Sequence, residues 1–187
     1  LIITSYQNVP LAEINGFEIE YEQVFEAIMD SPNDLLVKFN YTETESEVIV
    51  NPGDTYINSI GTVVDAQSLL ANGRDTRLQG QSDTIANFQI GLDNLQNQTQ
   101  ATLIVNYVSD RVRARGIDVL PDIIEEPPLL VDFAFSKIYS YPEFELKLSL
   151  ELRNLLDEEY YASMRNIAIY DQYDLGTSAS LGFKISF

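Results

Sequence analysis

The chain has 187 residues, enough for one domain of ordinary size, and 45% of them are hydrophobic. Its 29 acidic and 11 basic residues give a formal net charge of −18, which argues against a nucleic-acid partner because such a chain repels phosphate. Cysteine and histidine are both absent, which excludes disulfides, thiolate or histidine metal sites and histidine-dependent catalytic triads.

Hydropathy restricts the ways in which this chain could meet a membrane. Mean hydropathy is −0.09, and no segment approaches the ~18 unbroken apolar residues of a membrane helix. A membrane-spanning form would therefore be a β-barrel, because only helices and closed barrels satisfy the backbone hydrogen bonds in lipid. The first residue is Leu1, with no basic and apolar leader before it; we expect a processed chain or, better, a piece of a longer one.

Segments with an apolar residue at every second position follow one another along the chain. That period is typical of a strand with one apolar and one polar face. The predicted strands lie near 1–7 and at 17–25, 35–42, 86–93, 101–107, 131–136, 144–153 and 178–187. We therefore predict an all-β fold of roughly eight antiparallel strands.

The predicted connections alternate between short and long. Residues 26–33, 95–98 and 140–143 are short turns, whereas 44–83, 111–128 and 157–173 are long. In an antiparallel series the short and long connections fall at opposite ends of the sheet. Outer-membrane barrels have this asymmetry, with short periplasmic turns and long extracellular loops. On that reading the C-terminus is periplasmic.

The last two predicted strands have the clearest alternation. One face of 144–153 carries only phenylalanine and leucine, and the opposite face carries four charges. The final strand places Ala179, Leu181, Phe183, Ile185 and Phe187 on its apolar face and runs to the last residue. Apolar strands of about 10 residues are what a lipid-facing transmembrane strand requires. Half-buried strands of soluble proteins also alternate, so these two strands favour a membrane barrel without deciding for it.

Short motifs in the second half of the chain point to a family. Asn154, Leu155, Asp157 and Tyr160 match the pattern N-L-x-D-x-x-Y near the end of TonB-dependent outer-membrane receptors. The tail from Tyr173 to Phe187 resembles their terminal strand, and weaker matches in the same order cover nearly the whole chain. The sequence therefore resembles the C-terminal part of such a receptor barrel over residues 1–187.

The resemblance implies a specific architecture and function. Such receptors are 22-stranded barrels with a plugged lumen; this chain would supply about the last eight strands and no plug. The implied function is active import of siderophore-bound iron, vitamin B12 or an oligosaccharide across the outer membrane of a Gram-negative bacterium. It implies no enzyme activity and no cofactor. The implied partners are the plug domain of the same protein, the TonB complex, outer-membrane lipid and lipopolysaccharide, and the assembly machinery that reads the aromatic C-terminal strand.

Arg111, Arg113 and Arg115 are candidate contacts for an anion. They share one parity at the outer end of a predicted strand, and arginine suits the phosphates of lipopolysaccharide or an anionic ligand. A simple charged loop stem is the other reading of the same residues, because most arginines are exposed.

Two other functional classes stay open from the residues alone. A complete eight-stranded outer-membrane barrel with a structural or adhesive role would have a lumen filled by side chains. A soluble acidic β-sandwich, acting as a binding module, would pack the leucine face of 144–152 on a second sheet.

Overall fold

The computed structural model describes residues 11–26, 32–58, 60–69, 75–116, 120–165 and 167–187, and the statements below concern these residues. Alternating apolar and polar residues produce long strands, and short segments between them form further strands. The strands are β1 (Leu11–Phe25), β2 (Asn33–Ile49), β3 (Thr55–Ile57), β4 (Val63–Asp65), β5 (Thr84–Asn94), β6 (Thr99–Val108), β7 (Arg111–Ala114), β8 (Ile123–Glu126), β9 (Leu130–Ser140), β10 (Glu145–Arg153), β11 (Glu159–Met164), β12 (Ile169–Asp174) and β13 (Ser178–Ser186). A short 3-10 helix spans Ala66–Leu69. In the described ranges no helix has the length and apolarity to cross a membrane.

Seven long strands form one antiparallel sheet, which we call the main sheet. Its order is β1-β2-β5-β6-β9-β10-β13, so every strand pairs with the next long strand along the chain. The prediction of an all-β antiparallel fold is confirmed. Seven of the eight predicted strands are present, but β1 begins at Leu11 instead of residue 17 and β2 continues to Ile49 instead of ending at residue 42, so the predicted loop 44–83 begins later than expected. The strand predicted near residues 1–7 lies outside the described residues.

The alternation of short and long connections is also confirmed. Segments 26–32, 95–98 and 141–144 join strands at one end of the main sheet, which we call the short-turn end. Segments 50–83, 109–129 and 154–177 join strands at the opposite end, the long-loop end.

The long connections contain strands that the sequence pattern did not predict. β7, β8, β11 and β12 form a second antiparallel sheet in the order β12-β11-β8-β7, which we call the loop sheet, and β3 pairs with β4 in a hairpin. The expectation of plain loops there was wrong. These strands are three to six residues long, and most of them, including β8, β11 and β12, lack the period-two alternation by which a strand is recognised.

The buried apolar residues lie at the long-loop end. The buried hydrophobic side chains of the described chain are Val48, Tyr56, Ala66, Val112 and Ala162. Val48 lies near the outer end of β2, and the others belong to the long connections. The main sheet itself therefore covers no hydrophobic core formed by described residues.

The main sheet is open among the described residues. β1 pairs only with β2, and β13 pairs only with β10, so each has one edge without a described partner. Unpaired edges of this length expose backbone groups that usually pair with another strand.

Candidate functional site

Strand register aligns the apolar side chains into rows across the main sheet. Leu150 lies opposite Leu181 on one side and Phe135 on the other. The complete row, one residue per strand from β13 to β1, is Leu181, Leu150, Phe135, Ala101, Leu92, Leu35 and Phe25. Side chains directly opposite one another share a face, so the main sheet has one apolar face seven strands wide.

This apolar face has no cover from the described residues. Strands of the main sheet contact mainly their hydrogen-bonded neighbours, and the second layer that a sandwich needs is absent from the described part of the chain. Leu181 is 65% exposed and Phe183 is 68% exposed. A contiguous apolar surface of this size normally marks contact with lipid or another protein.

The apolar face has a limited height along the strands. On β2 the apolar residues of this face run from Leu35 to Tyr41. Beyond Tyr41 the same face carries Glu43, Glu45 and Glu47. Six strand steps span about 20 Å, and the eight steps from Phe144 to Leu152 span about 27 Å. The nine-residue stretch on β10 matches the about 9–11 residues of a tilted transmembrane β-strand, and the seven-residue stretch on β2 is shorter.

Aromatic rings border the apolar face at both ends. At the short-turn end Tyr141 stacks on Phe144 with 4.7 Å between ring centroids, and Phe144 lies 6.5 Å from Phe187. At the long-loop end Phe17 and Tyr41 are 6.1 Å apart. Aromatic side chains prefer the two interfaces of a membrane, where one part of the ring system is apolar and the hydroxyl can reach water.

The lysine on the apolar face lies near this aromatic border. Lys137 lies opposite Leu148, and its Nζ is 5.2 Å from the centre of the Tyr139 ring. A long ammonium side chain can reach the interface from such a position. In contrast, Tyr160, Tyr161 and Tyr173 belong to the loop sheet rather than to the border.

The opposite face of the main sheet is polar, and its charged side chains pair both across and along strands. Lys38 Nζ lies 3.0 Å from Glu22, and Gln100 donates to Asp93 at 3.1 Å. On β10, Arg153 lies 3.1 Å from Glu151. A wall of this composition suits water or a polar protein surface.

The N-L-x-D-x-x-Y motif forms the junction at which the chain leaves β10. Asn154 is buried and has φ of 52°. Its side-chain amide donates to the carbonyls of Glu158 (3.0 Å) and Gly176 (3.2 Å), and its Oδ1 accepts from the Glu158 amide at 3.0 Å. Its backbone amide donates to Asp132 at 2.9 Å. Asn154 thus ties the start and the end of the last long connection to β9.

The other motif residues play different parts in the same connection. Asp157 also has a positive φ, 55°, and its amide donates to the Asn154 carbonyl at 3.0 Å. Leu155 donates its amide to Val131 at 2.8 Å. Tyr160 lies on the loop sheet, stacked on Tyr173 with 4.7 Å between ring centroids. The motif is a turn that positions the loop sheet over the end of the main sheet.

We expect Asn154→Ala to destabilise the folded protein by about 2–3 kcal/mol. Alanine removes three side-chain hydrogen bonds, leaves the half-buried amide and carbonyl of Glu158 without their Asn154 partners and fits a positive φ poorly. Urea unfolding of the protein in detergent micelles or vesicles measures the change. Leu155→Ala is the matched control, because Leu155 is half-exposed, and we expect it to cost under about 1 kcal/mol. Equal effects of the two substitutions would contradict the role of Asn154.

The three candidate arginines lie on and just after β7, and each is already paired with a carboxylate. Arg111 Nε lies 2.7 Å from Glu125, Arg113 lies 3.1 Å from Asp171, and Arg115 lies 3.2 Å from Asp122. Their partners belong to different segments of the long connections. The arginines therefore hold the loop sheet together, and an anionic ligand would have to share or displace these carboxylates. Anion binding by Arg111, Arg113 and Arg115 stays a prediction.

The ion pairs on the loop sheet shift the pKa of their members. The hydrogen bond from Arg111 holds the pKa of Glu125 below its ordinary value, and the same bond raises the pKa of Arg111. Burial and the nearby charge of Glu125 raise the pKa of Tyr160. Arg113 packs between the rings of Tyr160 and Tyr170, 5.7 and 5.4 Å from their centres. These shifts favour the charged forms of Glu125 and Arg111 and the neutral form of Tyr160.

A further charged cluster, centred on Arg77, was not predicted. Arg77 lies 2.7 Å from Asp75, 3.2 Å from Asp83 and 2.8 Å from Asp110. Burial would raise the pKa of Asp75, but hydrogen bonds from the side chain and backbone of Arg77 outweigh it and hold this pKa below its ordinary value. The sequence places Asp75 and Asp83 near Arg77 but carries no pattern that links them to Asp110.

Arg115 joins this cluster to the loop sheet. It donates to the backbone carbonyls of Asp75 and Arg77. Its carboxylate partner, Asp122, is fully buried and also accepts from the Gly116 amide at 2.9 Å. The long connection 50–83 is thereby fixed to the connection 109–129.

An open cleft of about 530 Å³ lies between this cluster and the two sheets. Its lining combines acidic, basic and apolar groups: Asp75, Arg77, Tyr107, Val108, Ser109, Asp110, Ile124, Glu126, Pro127 and Arg165. The described residues contain no cluster of acidic side chains arranged to hold a metal ion. The cleft is a surface at the long-loop end where a polar ligand could make contact.

The residues of the predicted assembly sequence lie where the alternation places them. Ala179, Leu181, Phe183 and Ile185 lie on the apolar face of β13, opposite Leu152, Leu150, Leu148 and Leu146. Phe187 follows the last residue of β13 and is fully exposed.

Comparison with known proteins gives no relative: no family model, no curated protein and no solved structure matches this chain.

Proposed function

We propose that this chain is the C-terminal part of the β-barrel of a TonB-dependent outer-membrane receptor. In this role the apolar face of the main sheet contacts lipid, the polar face lines the lumen, and the long-loop end lies outside the cell. The protein would capture a scarce ligand, such as siderophore-bound iron, vitamin B12 or an oligosaccharide, and import it with energy delivered through TonB.

The observation that carries the proposal is the uncovered apolar face seven strands wide. A sheet with this face in water would expose Leu181 and Phe183 without compensation. In lipid the same face is solvated by acyl chains, while the backbone is satisfied by the neighbouring strands. The height of the face, its aromatic borders and the change to glutamate beyond Tyr41 agree with an outer-membrane strand.

The open edges support a larger barrel. β1 and β13 lie at opposite edges of the main sheet, each with one side lacking a described partner. Further strands of a complete receptor would pair with both edges and close the barrel. Without them, we expect the 187-residue chain to aggregate in detergent-free buffer. A monomer that sediments without detergent and unfolds cooperatively would contradict the membrane assignment.

Single-cysteine labelling tests the assigned ends, and residues 1–187 add no native cysteine to the background. We expect Ile60→Cys and Ile167→Cys, both highly exposed at the long-loop end, to react with a membrane-impermeant maleimide on intact cells. Leu95→Cys, exposed at the short-turn end, should react only after the outer membrane is permeabilised. The reverse pattern would invert the orientation, and equal labelling of all three would contradict the barrel.

Transport is tested in cells that lack the complete protein. We expect loss of uptake of one of the three candidate cargoes, and the same loss when TonB is deleted or the proton gradient is dissipated. Normal uptake of all three by the deletion strain would contradict the import function, even with the protein in the outer membrane.

A further inference from the structure

Two lysines on the polar face differ from most other basic residues of the described chain. Lys38 and the arginines of the β7 region each lie within 4.0 Å of a carboxylate. Lys147 and Lys184 form no ion pair with any described residue. The register of β10 and β13 places them directly opposite each other.

This juxtaposition is unfavourable for the sheet alone. Like charges directly opposite on neighbouring strands destabilise the pair. The chain has 29 acidic residues to 11 basic ones, so an acidic partner for a lysine is easily supplied. Glu145, the next residue of the same face on β10, forms no ion pair with either lysine. Two neighbouring ammonium groups without a carboxylate therefore attract a negatively charged group.

The side chains beside the two lysines on β13 are small. The same-face neighbours on β13 are Ser180, Gly182 and Ser186. Gly182 packs so closely on Ser149 that an added Cβ would lie 2.5 Å from the serine Oγ. Because these neighbours are small, the lysine amines extend farther from the sheet than the side chains beside them on β13. Another polypeptide segment can therefore lie against the sheet and reach both amines.

We propose that Lys147 and Lys184 together bind a carboxylate of an acidic polypeptide segment packed against the polar face of the main sheet. The inference rests on the proposed function, in which that segment belongs to the plug in the lumen. A carboxylate has two acceptor oxygens and can accept one charge-assisted hydrogen bond from each ammonium. The contact removes the repulsion between the lysines and fixes the segment against β10 and β13.

Carbodiimide cross-linking of the complete protein in outer-membrane vesicles tests this contact, because the reagent joins an amine to a carboxylate only when they touch. Lys38 and Glu22, 3.0 Å apart, are the internal positive control. We expect mass spectrometry to find Lys147 or Lys184 joined to an aspartate or glutamate outside residues 1–187. The inference is overturned if the Lys38–Glu22 link forms while Lys147 and Lys184 link only within their own sheet or remain unlinked.

A charge-reversal series measures the effect of the contact. In the double variant Lys147→Glu, Lys184→Glu we expect protease to cleave the segment that cross-linking identifies in the wild type. Cleavage should be faster than in the wild type by about tenfold or more, since charge-assisted hydrogen bonds are lost and repulsion is added. Replacing the identified acid by lysine in the same variant should restore protection. Lys38→Glu is the control and should leave the segment protected. Unchanged protection in the double variant overturns the inference.

These outcomes separate the inference from the proposed function. A protein that sits in the outer membrane and imports its cargo, but yields no such cross-link, contradicts the lysine contact alone. A protein absent from the outer membrane contradicts the proposed function itself.

Discussion

Deleting Phe187 from the complete protein is expected to reduce the folded amount in the outer membrane severalfold. Phe187 is fully exposed and lies 6.5 Å from Phe144 at the short-turn end of the apolar face. An aromatic side chain at this place anchors the final strand at the membrane interface. In the proposed barrel the last strand also pairs with the first strand, which removes both edges. A strand without its anchor should close the barrel less efficiently and leave degraded or periplasmic material.

Phe187→Asp should have a similar or larger effect, because it adds a charge to the apolar border. The matched control is Ser186→Thr on the neighbouring residue, whose register partner is Glu145 on the polar face. We expect near-wild-type levels for Ser186→Thr. Quantitative immunoblotting of outer-membrane and periplasmic fractions measures both. Equal outer-membrane amounts of the wild type and the Phe187 deletion would contradict the role of Phe187 in assembly of the final strand.

The long strands could be predicted from sequence because one physical requirement governs each of them. A face that avoids water over nine or more residues imposes period-two alternation, as in 144–153 and 178–187. The alternation also fixes the register, because a slip of one residue would turn Leu150 toward the polar face. The order of the seven strands then follows because each long strand pairs with the next long strand along the chain, across short and long connections alike.

The loop sheet could not be predicted in the same way. Most of its strands show no period-two alternation, and they are held by ion pairs between residues far apart in sequence, such as Arg113 with Asp171. A sequence shows that both charges exist but not that they meet. The same holds for Arg77 and Asp110. The three arginines after Val108 were therefore noticed for their spacing, while their carboxylate partners came only from the fold.

The Asn154 motif lies between these two cases. Its residues were recognised as a family pattern, but the pattern gives no reason for asparagine. The fold supplies one: a positive φ, a buried amide and acceptors on both sides of the junction. Asparagine tolerates the left-handed region better than most residues. The asparagine at this strand end thus has a structural explanation that requires no ligand.

Placing an arginine on the apolar face of β13 should have the largest effect on stability. If this face lies in a bilayer as proposed, Leu181→Arg should destabilise the folded protein by about 2–4 kcal/mol, because a guanidinium inside the apolar band loses its hydration. Leu181 lies in the row shared with Leu150 and Phe135. Urea unfolding of the complete protein in lipid vesicles, followed by tyrosine fluorescence or gel mobility, measures the change.

Ser180 provides the control, because it is the neighbouring position on the same strand but belongs to the polar face. Ser180 lies opposite Glu151, so Ser180→Arg adds a cation across from a carboxylate and should change stability by less than about 1 kcal/mol. A soluble surface strand would tolerate both substitutions, since Leu181 is 65% exposed. A buried sandwich strand would reject Leu181→Arg but would show no dependence on membrane depth.

Depth dependence is therefore the property that identifies lipid. Ala179 lies near the outer end of the apolar face, beside the long loops, and Leu181 lies nearer its middle. In a bilayer the penalty for arginine falls toward the interface to about 0–1 kcal/mol, so Ala179→Arg should cost clearly less than Leu181→Arg. Because the arginine at 179 can extend to the phosphate groups while that at 181 cannot, thinner vesicles should reduce the penalty at 181 more. If arginine costs the same stability at position 181 as at position 180, or if its cost at 181 does not change with bilayer thickness, this face does not contact lipid.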